Sequence, residues 1–319
     1  KATMDIFGGT YSNNEAMDLV KTDTETLTIS AYGGAFYNFG TLNIYGGTFS
    51  GNHAARGGAF YCYRTLRIYN AQIIGNTAST YGGAVYMPNS TAAFLFVGGE
   101  NGYTDSQVTF RENTAASGGG AIYAKNKMEA QDVSFIGNST SGSGGAITAG
   151  AMEIIISNAV FENNTASGYG GAIYYAGENG KEDIFDLTCT DVVFRGNSVS
   201  KTAGALYMNG AATAYMENAE FTSNASANYG GAVYLNDGHL QMVGGSFTGN
   251  SANYGGAVYL TGGGSLDVDG GNFTSNTAIS TGGALGATSE SSIRLNQITG
   301  NLNTAKQGGL AYCEETSAL

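Results

Sequence analysis

The chain has 319 residues, of which 51 are Gly, one is Pro and none is Trp, which excludes collagen and Pro-rich disordered chains and indicates a folded protein with many turns. The formal net charge of −12 repels a phosphate backbone, and no basic patch with interleaved aromatics is visible, so we expect no nucleic-acid partner. No apolar run approaches the roughly 20 residues of a membrane helix, so we expect no membrane insertion by this segment.

Three short motifs recur along the chain in a fixed order. The first is an apolar–polar–apolar segment such as Leu42-Asn43-Ile44, which is typical of a strand with one buried face. The second is Phe-x-x-Asn, in which Ile replaces Phe at Ile73 and Ile298. The third is a Gly-Gly-Ala-apolar tetrad, with variants at the seventh and last places, and it begins at Gly33, Gly57, Gly82, Gly119, Gly144, Gly170, Ala203, Gly230, Gly255, Gly282 and Gly308. Eight of the ten intervals between tetrads are 24 to 27 residues long, which indicates one repeated structural unit.

A single repeat of this length cannot bury its inner face alone, but stacked coils can, with each strand pairing in parallel with the equivalent strand of the next coil. No helical periodicity is present, and the Gly content disfavours helices. We therefore predict an all-β fold, a right-handed, single-stranded parallel β-helix (a pectate-lyase-like solenoid) of about eleven coils, as a single domain over residues 1–319. The three strands of each coil are assigned to the Leu-x-Ile segment, the segment around Phe, and the Ala-apolar-Tyr segment.

In the Ala-apolar-Tyr segment, we expect the middle residue to point inward and the Ala and Tyr to point outward. The inward residues would form an aliphatic and aromatic ladder through the core: Phe36, Phe60, Val85, Ile122, Ile147, Ile173, Leu206, Val233, Val258 and Leu285. The Gly pair suits a corner that needs positive φ or a close approach of neighbouring backbones.

The outward Tyr residues should stack into an aromatic stripe, interrupted at Thr148 and Gly286. Such a stripe is a candidate binding surface, although a purely structural role, in which stacked Tyr stabilise the sheet as cross-strand pairs, is favoured. Its members, called here the tyrosine stripe, are Tyr37, Tyr61, Tyr86, Tyr123, Tyr174, Tyr207, Tyr234, Tyr259 and Tyr312.

The Asn of each Phe-x-x-Asn motif is expected at a turn, where its amide bonds to local backbone and to the Asn of the coils above and below. This structural role is favoured over a role in binding. The predicted Asn ladder comprises Asn52, Asn76, Asn113, Asn138, Asn164, Asn197, Asn224, Asn250, Asn276 and Asn301. Tyr11 and Asn14 form a degenerate version of the motif at the start of the chain.

Three departures from the repeat are interpreted as loop insertions, where specific binding in solenoids usually sits. They lie near residues 15–30, 87–106 and 177–186. The third carries the densest charge in the chain, contributed by Glu178, Lys181, Glu182, Asp183 and Asp186. These residues could bind a hard cation such as Ca²⁺, but their spacing is irregular, so a solvated loop is favoured. The three Cys residues are assigned to the interior as free thiols: Cys62, Cys189 and Cys313.

Some β-helices cleave acidic polysaccharides with clustered carboxylates on an outer face. The best candidate constellation here is Asp237, His239, Asp267 and Asp269, but no Lys or Arg is evident nearby in the repeat. We therefore predict a protein that is not an enzyme, with no catalytic residues, no metal and no cofactor.

The tandem Gly-Gly-Ala and Phe-x-x-Asn motifs resemble the polymorphic outer membrane protein repeats of chlamydial surface autotransporters, from about Tyr32 to Tyr312. The resemblance implies an extracellular or cell-surface β-helical passenger that adheres to a protein or glycan of a host or neighbouring cell. In that family both motifs are tied to adhesion, which would map to Gly230–Val233 and Phe221–Asn224 and their equivalents. The alternatives are a β-helix that binds or cleaves polysaccharide, and a filament module that self-associates end to end.

Overall fold

The computed structural model describes residues 2–17, 19–20, 28–90, 93–99, 107–150, 152–177 and 185–314. Within these residues the chain forms strands and turns with no helix, and the strands build three parallel sheets. Each sheet forms one side of the stacked coils, and equivalent residues of successive coils are paired in register. The predicted parallel β-helix with three sheets is confirmed.

Sheet 1 has 17 strands, because each coil contributes two short strands or one long one to it. The strands are Thr3–Ile6, Thr10–Ser12, Thr41–Ile44, Gly47–Ser50, Thr65–Ile68, Ala71–Ile74, Phe94–Val97, Val108–Arg111, Lys127–Ile136, Ile154–Glu162, Leu187–Arg195, Thr213–Glu217, Glu220–Thr222, His239–Val243, Ser246–Thr248, Ser265–Thr274 and Ser292–Asn301.

Sheets 2 and 3 form the other two sides of the coil. The nine strands of sheet 2 are His53–Arg56, Thr77–Tyr81, Thr114–Ala115, Ser139–Thr140, Thr165–Ala166, Ser198–Val199, Ala225–Ser226, Ser251–Tyr254 and Thr277–Thr281. The eleven strands of sheet 3 are Phe36–Asn38, Phe60–Cys62, Val85–Met87, Ile122–Ala124, Ile147–Gly150, Ile173–Ala176, Leu206–Asn209, Val233–Asn236, Val258–Thr261, Leu285–Ala287 and Ala311–Cys313. A separate antiparallel pair joins Leu19–Val20 to Thr28–Ile29.

The assignment of strands to the three sides was wrong in one respect. The Leu-x-Ile and Phe segments do not form separate sheets, since single strands such as Lys127–Ile136 and Ile154–Glu162 run through both. These strands bend at a residue with positive φ, Asp132 or Asn158, and continue in the same sheet. The third side is sheet 2, built from the residues that follow the Asn of the motif, such as Thr165–Ala166. Strands of two residues are too short to show an alternating pattern in the sequence.

The core is a continuous shaft of stacked apolar side chains. Val233 and Val258 are paired in register and have no solvent exposure, and nine of the ten predicted inward residues are fully buried, Phe36 being partly exposed. Beside them, seven Phe rings stack nearly parallel with centroids 4.7 to 5.1 Å apart: Phe110, Phe135, Phe161, Phe194, Phe221, Phe247 and Phe273. Rings held at the strand spacing gain both burial and offset stacking.

The Ala of the tetrad points inward, contrary to the prediction. Ala232 has no solvent exposure and belongs to the same core as Val233, and the equivalent Ala residues from Ala59 to Ala284 behave alike. The backbone N–H groups of Ala232 and Val233 both donate to the carbonyl oxygen of Ala257. Two successive N–H groups therefore point the same way, the period-2 alternation is interrupted, and two successive side chains enter the core.

The insertion predicted near residues 87–106 is not one continuous loop. Phe94–Val97 pairs in register with Thr65–Ile68 of the preceding coil, so this segment is a regular strand of sheet 1. The extra residues fall before and after it, and residues 91–92 and 100–106 lie outside the described residues. Half of the first insertion, residues 18 and 21–27, also lies outside them, as do residues 178–184 of the third.

The three thiols are free, and Cys62 and Cys189 are fully buried in the core. Burial raises the pKa of Cys62 and that of Cys189 to about 12, so both thiols are protonated and unreactive at neutral pH. Cys313 was also assigned to the interior but is partly exposed.

Candidate functional site

The Asn ladder is a continuous hydrogen-bonded column at the corner between sheets 1 and 2. The backbone N–H and the side-chain Nδ2 of Asn138 both donate to Oδ1 of Asn164, at 2.9 and 3.0 Å. Nδ2 of Asn138 also donates to the carbonyl oxygen of Phe110, in the preceding coil, at 3.0 Å. From Asn52 to Asn276 every predicted member has no solvent exposure. The geometry leaves these amides no free group with which to contact a ligand, so their role is to satisfy buried backbone groups.

The ladder ends on Asn303 rather than on the predicted Asn301. The backbone N–H and Nδ2 of Asn276 donate to Oδ1 of Asn303, and Phe273 pairs with Gly300 instead of Ile298. The last motif is therefore Gly-x-x-Asn, which a search for Phe or Ile three residues before Asn misses. At the other end Asn14 is the first rung, with its N–H and Nδ2 donating to Oδ1 of Asn52.

The tyrosine stripe lies on the outer face of sheet 3, and its rings stack face to face along the rod. Ring centroids of Tyr61, Tyr86 and Tyr123 follow one another at 5.2 and 5.3 Å, and those of Tyr174, Tyr207 and Tyr234 at 5.3 and 5.1 Å. The stack is interrupted at Thr148 and Gly286, as the sequence indicates. At Gly286 an added Cβ would lie 2.7 Å from Cδ2 of Tyr259, which shows that this ring leans into the vacant place.

The stripe is much less exposed than the prediction assumed. Tyr61, Tyr207 and Tyr259 retain only 5%, 8% and 8% of their surface, whereas Tyr37 at the start of the rod retains 50%. A second set of Tyr residues, not identified from the sequence, covers the stripe. This cover row consists of the residues that precede the Gly pair in five coils, namely Tyr32, Tyr81, Tyr169, Tyr229 and Tyr254.

Each of four cover-row rings packs on the stripe ring of the next coil. The centroid distances are 4.6 Å for Tyr32 on Tyr61, 4.7 Å for Tyr81 on Tyr123, 4.8 Å for Tyr169 on Tyr207 and 4.7 Å for Tyr229 on Tyr259. The stripe and the cover row together form a two-layered surface, called here the tyrosine face. The recurring Tyr-Gly-Gly sequence could have predicted the cover row, because its Tyr lies at the end of sheet 2, next to sheet 3.

Two cationic side chains contact rings of the tyrosine face, and burial raises the pKa of phenols within it. The guanidinium of Arg56 lies 5.6 Å from the ring of Tyr32 and 5.4 Å from that of Tyr86, and the ammonium of Lys201 lies 5.6 Å from the ring of Tyr169. Burial, together with neighbouring phenols, raises the pKa of Tyr234 to about 12. This phenol therefore stays neutral at physiological pH and acts as a hydrogen-bond donor and acceptor rather than as a charge.

Three of the four residues considered for catalysis contact side chains outside that set. Oδ2 of Asp267 forms an ion pair with Arg294 of the next coil at 2.9 Å, and Oδ1 of Asp269 accepts a hydrogen bond from Asn296 at 2.8 Å. Nδ1 of His239 lies 2.7 Å from the hydroxyl of Ser265. Arg294 thus corrects the expectation that no Lys or Arg lies nearby. Asp237 lies at a turn with a φ of 59°.

Of the charged residues in the acidic insertion, the structure describes Asp186. Glu178, Lys181, Glu182 and Asp183 lie outside the described residues. Oδ2 of Asp186 accepts a hydrogen bond from the backbone N–H of Thr213 at 2.8 Å. Within the described residues no group of three or more His, Cys, Asp and Glu side chains could hold a metal ion.

Comparison with protein families identifies the repeat. The model of the Chlamydia polymorphic membrane protein repeat matches residues 107–125, 132–150 and 158–176, which lie on three consecutive coils. The chain carries this repeat. Each matched segment runs from the part of sheet 1 that carries the motif Phe, through the ladder Asn and sheet 2, to the tetrad and its sheet 3 strand. Comparison with curated proteins and with solved structures found no match.

The polymorphic membrane protein repeat suggests a surface-exposed protein of a bacterial outer membrane, and the solenoid is consistent with a structural, non-enzymatic protein. No helix in the described part of the chain is long and apolar enough to cross a membrane. The binding role of the tyrosine stripe stays a prediction.

Proposed function

We propose that the chain is a non-catalytic rod of the bacterial cell surface that adheres to a host or neighbouring cell through its tyrosine face. The observation that supports the proposal most directly is the two-layered packing of Tyr rings on one side of the rod. This packing gives a rigid platform with little side-chain freedom to lose on binding, and Tyr contributes both apolar area and a polar hydroxyl to an interface.

The cover row is the part of the platform that a partner would contact first. Tyr169 retains 37% of its surface, and Tyr254 is partly exposed, whereas Tyr259 beneath the row is buried. Substitution of Tyr259 would therefore report on stability as much as on adhesion. The cover row allows the two effects to be separated.

We expect the double variant Tyr169→Ser, Tyr254→Ser to reduce adhesion of the rod to cells about tenfold, since each lost ring contact at an interface commonly costs on the order of 1 kcal/mol or more. Adhesion is measured by flow cytometry with fluorescent protein, and folding by circular dichroism and thermal melting. Tyr215→Ser is the matched control, because Tyr215 is a partly exposed Tyr on sheet 1, away from the tyrosine face. Equal loss in the control and the double variant, or no loss in either, would refute the proposal.

A further inference from the structure

One internal segment of this acidic chain carries a net positive charge. The whole chain has 25 Asp and Glu residues against 13 Lys and Arg, yet residues 26–99 contain three Arg and no Asp or Glu. The three are Arg56, Arg64 and Arg67. An anion that approaches the rod is repelled by most of its length and attracted to this segment.

Exposed aromatic residues lie in the same coils, at the turn that follows sheet 3. Phe39 and Tyr63 occupy equivalent places after Phe36–Asn38 and Phe60–Cys62, and they retain 57% and 39% of their surfaces. Their rings stack at 5.0 Å, and Tyr37 meets Phe39 edge-on at 5.1 Å. We call Tyr37, Phe39 and Tyr63 the aromatic corner. Contiguous exposed rings of this kind mark interaction surfaces more often than isolated ones do.

Two Arg residues lie in the same coil as Tyr63 of the aromatic corner. Arg64 is exposed and directly follows Tyr63, and Arg56 lies between the rings of Tyr32 and Tyr86. Neither Arg64 nor Arg56 forms an ion pair with any residue that the structure describes. Lys127, in contrast, contacts the carboxylates of Glu129 and Glu153 at 3.3 and 2.9 Å.

One carboxylate of the preceding coil is engaged on sheet 1. Oδ1 of Asp5 accepts a hydrogen bond from Nδ2 of Asn43 on sheet 1 at 2.7 Å. Among the described residues no carboxylate pairs with Arg64, which leaves its guanidinium open to an external anion. An Arg presents up to five N–H donors in a planar fork that matches carboxylate and sulfate groups.

From this arrangement we infer that the aromatic corner, with Arg64, binds an acidic polysaccharide, whose carboxylate or sulfate groups pair with the guanidinium while its sugar rings rest against Phe39 and Tyr63. The inference goes beyond the proposed function, because the aromatic corner shares only Tyr37 with the tyrosine face. Single-stranded nucleic acid fits less well, because the rings of Phe39 and Tyr63 stack on each other and leave no gap for a base.

The test measures binding of the whole chain to immobilised heparin, a sulfated glycan, and to polygalacturonate, a carboxylated one, by biolayer interferometry. Neutral dextran and a single-stranded thymidine oligonucleotide are the comparison ligands. We expect binding to at least one acidic glycan that weakens with added salt, and none to dextran. Arg64→Gln should weaken that binding about tenfold, since a charge-assisted pair contributes on the order of 1.5 kcal/mol. Phe39→Ser should weaken it several-fold.

Arg111→Gln is the charge-matched control, because Arg111 is an exposed Arg of sheet 1 and its loss changes the net charge equally. It should bind within twofold of the unmodified chain. Three results would overturn the inference. They are an equal loss of glycan binding in the two Arg variants, binding to dextran as tight as binding to the acidic glycans, and tighter binding to the oligonucleotide. If the unmodified chain adheres to cells but binds neither acidic glycan, the inference fails and the proposed function stands. If the chain neither adheres to cells nor binds an acidic glycan, both the proposed function and the inference are refuted.

Discussion

Replacement of Gly231 by Val should destabilise the rod by more than about 4 kcal/mol, beyond the range of ordinary single substitutions. Gly231 is the second Gly of its tetrad. A Cβ at this position would lie 2.0 Å from the carbonyl oxygen of Gly256 and 2.6 Å from the backbone nitrogen of Ser251, both in the next coil. Neither atom belongs to a flexible side chain, so the variant can fold only if neighbouring coils separate. Even Gly231→Ala should cost several kcal/mol. Urea and thermal unfolding followed by circular dichroism measure the effect.

The matched control is Gly75→Ala. Gly75 has a φ of +62°, but no atom lies within 4 Å of an added Cβ, so the substitution costs only about 1 kcal/mol of backbone strain. Ala203, with a φ of +67° at a first-Gly position, shows that the fold accepts Ala in this conformation. If Gly231→Ala and Gly75→Ala shifted the unfolding midpoint equally, the close approach of the coils would be disproved.

Asn164→Ala should cost about 4 kcal/mol, because it removes one rung from the middle of the Asn ladder. The backbone N–H and Nδ2 of Asn138 would lose their common acceptor, and the carbonyl oxygen of Phe135 would lose its donor at 2.9 Å. These groups are buried, where water cannot replace the lost partners, and each unsatisfied group costs about 1 to 3 kcal/mol. The free energy of unfolding in urea is the measurement.

The adjacent Asn163 provides the control for this variant. Its side chain is exposed and its φ is +55°, which Gly adopts without strain. Asn163→Gly should therefore change stability by less than about 0.5 kcal/mol. If the Asn ladder contributed nothing to stability, Asn164→Ala and Asn163→Gly would have the same free energy of unfolding.

The repeat made the architecture predictable because its signals are strong and redundant. The spacing of the tetrads and the alternating Leu42-Asn43-Ile44 type of segment determined the solenoid and the inward face of Val233 and Val258. The assignment failed where the local backbone departs from period-2 alternation. Ala232 is buried because two successive N–H groups share one acceptor, and sheet 2 was missed because its shortest strands have only two residues.

The candidate site was only partly predictable for a related reason. The sequence indicates which Tyr residues point outward, but exposure depends on neighbours from another sheet. Tyr207 is buried because the ring of Tyr169, which precedes the Gly pair of the preceding coil, lies over it at 4.8 Å. The aromatic corner was missed because Phe39 and Tyr63 lie outside all three motifs, in a turn whose geometry the repeat does not specify. The shift from Asn301 to Asn303 depends on strand register in the last coil.

The central claim is that successive coils lie flat on one another at the parallel-strand spacing, and a distance between two spin labels tests it most directly. Thr114 and Thr277 are exposed and are separated by six steps of register in sheet 2. Labels are attached at Thr114→Cys and Thr277→Cys in a Cys313→Ser background, since Cys62 and Cys189 are buried. Pulsed electron paramagnetic resonance should give one narrow distribution centred near about 29 Å, which is six spacings of about 4.8 Å. A broad distribution, or one centred beyond about 40 Å, would contradict the stacked solenoid.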